Sequence, residues 1–233
     1  MLNLIISLLS GALLAVLLGI WLSPIEAVIP GVVLFAALYF LLARRAMKRL
    51  EAIFLAAQKE LMAGRIEKGI KIMETARSLA RWQFMVGSQV DAQVGMVLFV
   101  REDFKAAQPH LEKAFSRIWI ASAMLGSLHY KKKNVEQMRR AFDKAVAVGK
   151  KQGLAWQVYA WCEWKLGNPE RAIEILSRGS KALKEEDERL KNNLLALQNG
   201  KKMKMKPHGE QWYQFHLEKM PVQKMQQVRF ARR

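Results

Sequence analysis

Apolar residues fill the first 43 positions almost without interruption, and a helical rhythm of apolar positions then runs from Leu50 to about Gly200. The opening block is two runs, Met1 to Leu22 and about Ile25 to Ala43, divided at Ser23-Pro24. Each approaches the roughly 20 residues with which a helix crosses about 30 Å of hydrocarbon. The pattern predicts a transmembrane helical hairpin with helices at about 2–22 and 25–43. A cleaved signal would need a basic leader, and no Lys or Arg precedes Arg44. The alternative is a single span with a loosely inserted second segment. Beyond Leu50, Pro is scarce and no strand-like alternation lies between turn signals, so only helices are expected. Breaks near Gly64, Glu102-Asp103, Lys133-Asn134, Gly153 and Gly167-Asn168-Pro169 delimit helices of about 12 to 15 residues, joined in pairs.

Charge sharpens this division. The chain has 233 residues and a net charge of +18, yet residues 1–43 contain one charged side chain, Glu26. Arg44, Arg45, Lys48 and Arg49 follow the second run as a basic juxtamembrane segment, 44–49, and the positive-inside rule holds that end in the cytoplasm. Two crossings return the N-terminus to the same side. The expected location is a bacterial inner (cytoplasmic) membrane, multi-pass, with the repeat domain cytoplasmic. Within the first run, Ser7, Gly11, Ala15 and Gly19 stand four apart and stack along one side of a helix. Such a ladder lets helices pack closely in lipid. Its partner is either the second run, through Ala27 and Gly31, or a helix of another protein.

Small residues also recur along the helical region. They fall at Ala57, Gly95, Gly126 and Ala160, then at Gly69, Ala107 and Ala172, with Met138 out of pattern, and again at Ala76, Ala114, Ala145 and Gly179. Bulky residues lie between the last two sets, at Met73, Leu111, Phe142 and Leu176. Met138 and Ala172 are 34 residues apart, the tetratricopeptide period. The preceding separations of 38 and 31 require a longer first connection and a shortened second. On these residues the stretch 50–200 resembles the tetratricopeptide repeat family in its membrane-anchored bacterial form. The fold class that follows is all-α, a transmembrane hairpin and then a solenoid of about four helix pairs. A capping helix opens at Glu185-Glu186-Asp187-Glu188 and carries Leu190, Leu194, Leu195 and Leu197. Small residues at the crossings let helix axes approach to about 8 Å.

The resemblance implies a groove lined by the first helices of the pairs. By position it includes Phe54, Gln58, Met96, Phe99, Tyr130, Lys131, Trp161, Trp164 and Lys165. Rings, thioethers and lysines suit an apolar peptide with some negative charge. The Lys/Asn carboxylate clamp of the family's chaperone-tail binders is not matched, because Phe54, Gln58, Ala92 and Met96 stand at its positions.

Residues 201–233 form a basic tail, nine Lys and Arg against Glu210 and Glu218. Inside it lies an aromatic cluster, Trp212, Tyr213 and Phe215, between Pro207 and Pro221. Disordered tails lack such clusters, so this one docks, on its own repeats, on a partner or on the bilayer surface. Arg229-Phe230-Ala231-Arg232-Arg233 is read as solvated or phosphate-bound. The single cysteine, Cys162, excludes an internal disulfide and reads as a core residue. His110, His129, His208 and His216 have no shared ligand spacing, no Gly-rich phosphate loop follows a strand, and no nucleophile has a catalytic setting. The reading is a non-enzymatic scaffold without cofactors, binding a protein partner in a membrane or envelope complex. The alternative is a basic module for nucleic acid or anionic lipid.

Overall fold

The structure is a computed structural model and describes residues 1–220; the expectations for Pro221 and for Arg229 to Arg233 lie outside the described residues. Among the described residues there are eleven α-helices and no strand. They are α1 (Leu2–Leu18), α2 (Pro24–Met62), α3 (Ile66–Thr75), α4 (Val86–Val100), α5 (Phe104–Lys113), α6 (Trp119–Lys131), α7 (Val135–Val148), α8 (Gly153–Lys165), α9 (Pro169–Ala182), α10 (Glu188–Gln198) and α11 (Glu210–Tyr213). The chain forms two compact units, Met1–Val94 and the part beginning at Gly95.

In the first unit α1 packs along the first half of α2, running in the opposite direction. The small-residue ladder lies at this contact. Ser7 and Gly11 are buried, and a Cβ on Gly11 would stand 2.6 Å from the Gly31 carbonyl. A Cβ on Gly31 would meet the Gly11 carbonyl at 2.7 Å and Ala15 at 2.9 Å, so either substitution would push the helices apart. Gly19 falls just past the end of α1, nearest to Ala27 across the contact. The remaining faces of both helices expose Leu, Ile and Val.

α2 is one helix of 39 residues, not a span that ends at Ala43 followed by a separate segment. The basic cluster 44–49 is inside it, because Arg and Lys are good helix formers and no Gly or Pro follows Gly31 until Gly64. Its start is fixed by Pro24 in the first turn and by the Ser23 amide donating to Glu26 at 3.2 Å. At about 1.5 Å per residue it is about 58 Å long. It is the one helix among the described residues long and apolar enough to cross a membrane, whereas α1 has 17 residues.

The helix pairs α2/α3, α4/α5, α6/α7 and α8/α9 all close with the same turn. In each, the second residue past the first helix has a positive φ: Gly64 at 76°, Glu102 at 68°, Lys133 at 58° and Gly167 at 85°. The next amide reaches back five residues, Arg65 to Glu60, Asp103 to Leu98, Asn134 to His129 and Asn168 to Glu163, at 2.9 to 3.0 Å. This is the Schellman closure, which satisfies the last carbonyls of the first helix. The left-handed residues are spaced by 38, 31 and 34, and the surplus lies in the first connection between pairs. That connection, residues 76–85, comprises a 3-10 turn, Ala76–Arg81, and an aromatic loop; the later ones have four or five residues.

Knob-and-gap packing explains the small residues. Gly126 faces the Phe142 ring, Gly95 faces Leu111, Gly69 faces Leu61 and Gly179 faces the Trp156 ring. Met138, out of pattern in sequence, is fully buried nonetheless. α8 is buried on every side from Gly153 to Glu163 and is the central helix of the second unit.

Candidate interaction surface

α6 and α8 carry the densest group of predicted groove residues. Tyr130 and Trp161 meet edge to face at 5.8 Å. Lys165 Nζ stands 5.3 Å from the Trp161 ring centre and 4.6 Å from that of Trp164, and Lys131 Nζ stands 4.8 Å from the Phe104 ring. These cations over ring faces are worth about 0.5–1 kcal/mol each where exposed.

The tail closes over this group. From Lys201 it returns along α10, where Asn193 holds its backbone twice: the Lys204 amide donates to Oδ1 at 2.7 Å, and Nδ2 donates to the Lys204 carbonyl at 3.2 Å. Asn193 Nδ2 also donates to Gln157 Oε1 at 2.7 Å, and His208 Nε2 lies 3.1 Å from that same oxygen. Asn193, Gln157 and His208 are all buried, and burial pushes the His208 imidazole below its ordinary range, with the Arg189 charge adding to this. A neutral His208 donates Nε2–H to the Gln157 carbonyl. Beyond it, the Trp212 ring meets Trp161 edge to face at 5.2 Å, and Trp212 Nε1–H donates to Glu218 at 3.1 Å. Trp212 and Phe215 are fully buried and Tyr213 nearly so.

His216 ends this path against Phe99 and Phe104, at 5.7 and 5.8 Å between ring centres. Its Nε2 lies 3.1 Å from the Val100 carbonyl and its Nδ1 3.2 Å from Glu102. Burial lowers its pKa, and the Glu102 carboxylate and the Val100 carbonyl pull the other way without overcoming it.

The predicted groove is therefore not open along its length. Phe99 and Trp161 are buried, covered by His216 and Trp212, because the tail that sequence left with three destinations lies on the helices of its own unit. Tyr130, Trp164 and Met96 stay half-buried, and Lys131 and Lys165 are exposed. Phe54 is half-buried and Gln58 exposed on α2, in the first unit, whereas α6 and α8 belong to the second. One polar atom in the group has no partner: Trp161 Nε1–H is buried without an acceptor among the described residues.

Sequence reasoning missed the buried charge in the last turn of α8. The Glu163 side chain is fully buried and takes Arg139 at 2.6 and 2.9 Å, Arg171 at 3.2 Å and Asn168 at 3.0 Å. Burial pushes its carboxyl up, but the Arg139 and Asn168 hydrogen bonds and the two guanidinium charges outweigh that and hold it below its ordinary value. The signal was a lone Glu in an otherwise apolar helix, which demands paired charges nearby. Burial also pushes the Cys162 thiol well up, as for a core cysteine. Among the described residues no group of three His, Cys, Asp or Glu is arranged to hold a metal ion.

Fold and surface define an all-helical protein with one helix fit to cross a membrane and a second unit whose aromatic face is covered by its own tail. No protein-family model matches the chain, and no curated protein matches it either.

Proposed function

We propose that this chain is a membrane-anchored helical-repeat adaptor of the tetratricopeptide type, which binds a protein partner on the α6–α8 face and helps assemble or stabilise a membrane or envelope complex. The observation that carries the reading is Trp161. A buried donor without an acceptor costs about 1–3 kcal/mol, and a partner's carbonyl or carboxylate would recover it. Lys165 over the same ring and Lys131 nearby add positive charge, so the fitting segment supplies an acceptor and at least one acid. The tail covers the Trp161 ring, with Trp212 edge to face against it, so a partner's acceptor reaches the N–H as that cover shifts.

The membrane half of the reading follows from α2. Pro24 to Ala43 spans about 30 Å of helix, which matches the hydrocarbon thickness, and four basic residues follow at once. With the basic end in the cytoplasm, α1 is the second crossing of a hairpin in a bacterial inner membrane and the repeat units are cytoplasmic. Contact with anionic lipid is favoured by the same exposed residues, Arg44, Arg45, Lys48 and Arg49.

The test is affinity purification of the full chain in mild detergent. Trp164→Ala with Lys165→Glu should lose a specific protein without changing the melting profile. Trp161→Phe, which keeps the ring and removes the N–H, should weaken the same association. Identical co-purifying proteins from all three would sink the groove reading, and an association that nuclease abolishes and salt weakens steeply would replace it with nucleic-acid binding.

A further inference from the structure

The surplus residues of the first connection end in Trp82-Gln83-Phe84-Met85, and this loop exposes Trp82 by 44%, Phe84 by 52% and Met85 by 38%. It is not loose. The Asn3 amide donates to the Trp82 carbonyl at 3.1 Å, and the Met1 amino group donates to the Arg81 carbonyl. Gln83 turns inward, accepting from Asn3 Nδ2 at 3.3 Å and donating to the Tyr39 hydroxyl at 3.2 Å. The loop is thus tied to the start of α1 and to one level of α2.

That level has a meaning if α2 crosses a bilayer, the reading on which this inference rests. Tyr39 lies five residues before Arg44, about 7.5 Å along the axis. It therefore sits just inside the boundary at which the basic cluster begins, the depth at which Trp and Tyr are enriched. The loop bonded to it shares that depth. Its exposed side chains follow the exposed Arg81 in the chain and join the exposed apolar Met1 and Leu4 around one cleft. A cleft of about 240 Å³ opens there, lined by Met1, Leu4, Tyr39, Trp82, Gln83 and Phe84. The polar cost of immersion is small, because the Arg81, Trp82 and Met85 carbonyls and the Trp82 and Gln83 amides are already bonded within the protein.

We infer that residues 82–85 are a membrane foot: Trp82, Phe84 and Met85 insert into the interfacial zone of the cytoplasmic leaflet, with anionic phospholipid as the ligand surface. Arg81, next to the loop in the chain, and the exposed Arg44, Arg45 and Lys48, which follow Tyr39 along α2, meet the headgroups.

Three single-cysteine probes on the full chain test this, with Cys162 buried and unreactive: Phe84→Cys in the loop, Val33→Cys midway along the apolar part of α2, and Lys144→Cys on the exposed face of α7. Each is labelled with an environment-sensitive fluorophore and reconstituted into phosphatidylcholine–phosphatidylglycerol vesicles carrying a spin label near the headgroup or near the chain end. The Phe84 probe should lose most of its emission to the shallow label and little to the deep one, Val33 the reverse, and Lys144 none to either. Deep quenching of Val33 with a Phe84 probe that behaves like Lys144 overturns the foot and leaves the anchor standing. Deep quenching of Phe84 overturns the interfacial placement. A Val33 probe that neither label quenches overturns both readings.

Discussion

Trp212 holds the tail on the second unit, and truncating it to Ala measures how firmly. The ring is fully buried, meets Trp161 edge to face at 5.2 Å and donates to Glu218 at 3.1 Å. Burying about 150–250 Å² of aromatic surface at about 25 cal/mol per Å² gives about 4–6 kcal/mol. Part of that is kept by the remaining Cβ, and Glu218, only half-buried, rehydrates, so Trp212→Ala is expected to cost about 3–5 kcal/mol, the usual cost of such truncations. The loss falls on tail docking and not on the helix pairs, whose turns and knobs do not involve Trp212. The undocked population should then rise on the order of 10²- to 10³-fold. Tryptic cleavage after Lys204 reads this, because the Asn193 bonds hold that backbone until the tail lifts. Cleavage after Lys150 serves as the control. The edge-to-face contact makes a second demand: Trp161→Ala and Trp212→Ala should couple by about 0.5–1.5 kcal/mol in a double-mutant cycle. An unchanged cleavage rate at Lys204, or strict additivity, refutes the docking described.

Glu163→Gln should destabilise the second unit by about 2–3 kcal/mol in denaturant titration of the full chain, less than a typical broken buried pair because Arg139 and Arg171 are partly exposed and can turn to water. The tail should lift in acid: burial holds His208 and His216 below the ordinary imidazole value, so the released tail binds more protons. Docking is then fully present above about pH 7 and weakens as pH falls below about 6.5, read by the same cleavage after Lys204; replacing both histidines by Gln should remove the slope. Lys133, held at a φ of 58° in a turn where its counterparts are Gly64 and Gly167, should stabilise the α6/α7 pair by about 0.5–1 kcal/mol as Lys133→Gly, and a loss in thermal melting would contradict the turn geometry.

The helices and their turns were legible because they are local. Gly64 and Gly167 supply the left-handed residue, and Asp103 and Asn134 cap the following helix by accepting from Ala106 and Gln137. The small positions were legible because a gap for Phe142 or Trp156 must be Gly or Ala whatever the distant contacts are. What failed were boundaries and destinations. The basic cluster 44–49 looked like the end of an element, since charge marks the membrane boundary, yet charge does not stop a helix, and α2 passes through it. The tail's aromatic residues announced docking, but which face they cover depends on Trp161 and Phe99 being presented side by side, a tertiary fact. Gln157 and Asn193, 36 residues apart, carry no pattern that pairs them.

The irregular first spacing was read only as a longer connection, and the contrast between its aromatics and those of the tail gives it a physical sense. Trp212 and Phe215 are fully buried by their own unit, whereas Trp82 and Phe84, the same residue types, face outward on a loop pinned by hydrogen bonds. Soluble monomers rarely expose contiguous apolar patches beyond a few hundred Å², and this loop adjoins α1 and the first half of α2, whose outer faces are mostly Leu, Ile and Val. In water that combination would drive aggregation, and the pinning would only hold the hydrophobic side chains out. In a bilayer the same bonds would set a depth: Tyr39, Gln83 and Asn3 would fix the loop where a spanning α2 meets the headgroups, and exposure that destabilises a soluble protein would become the contact that seats the first unit on the membrane.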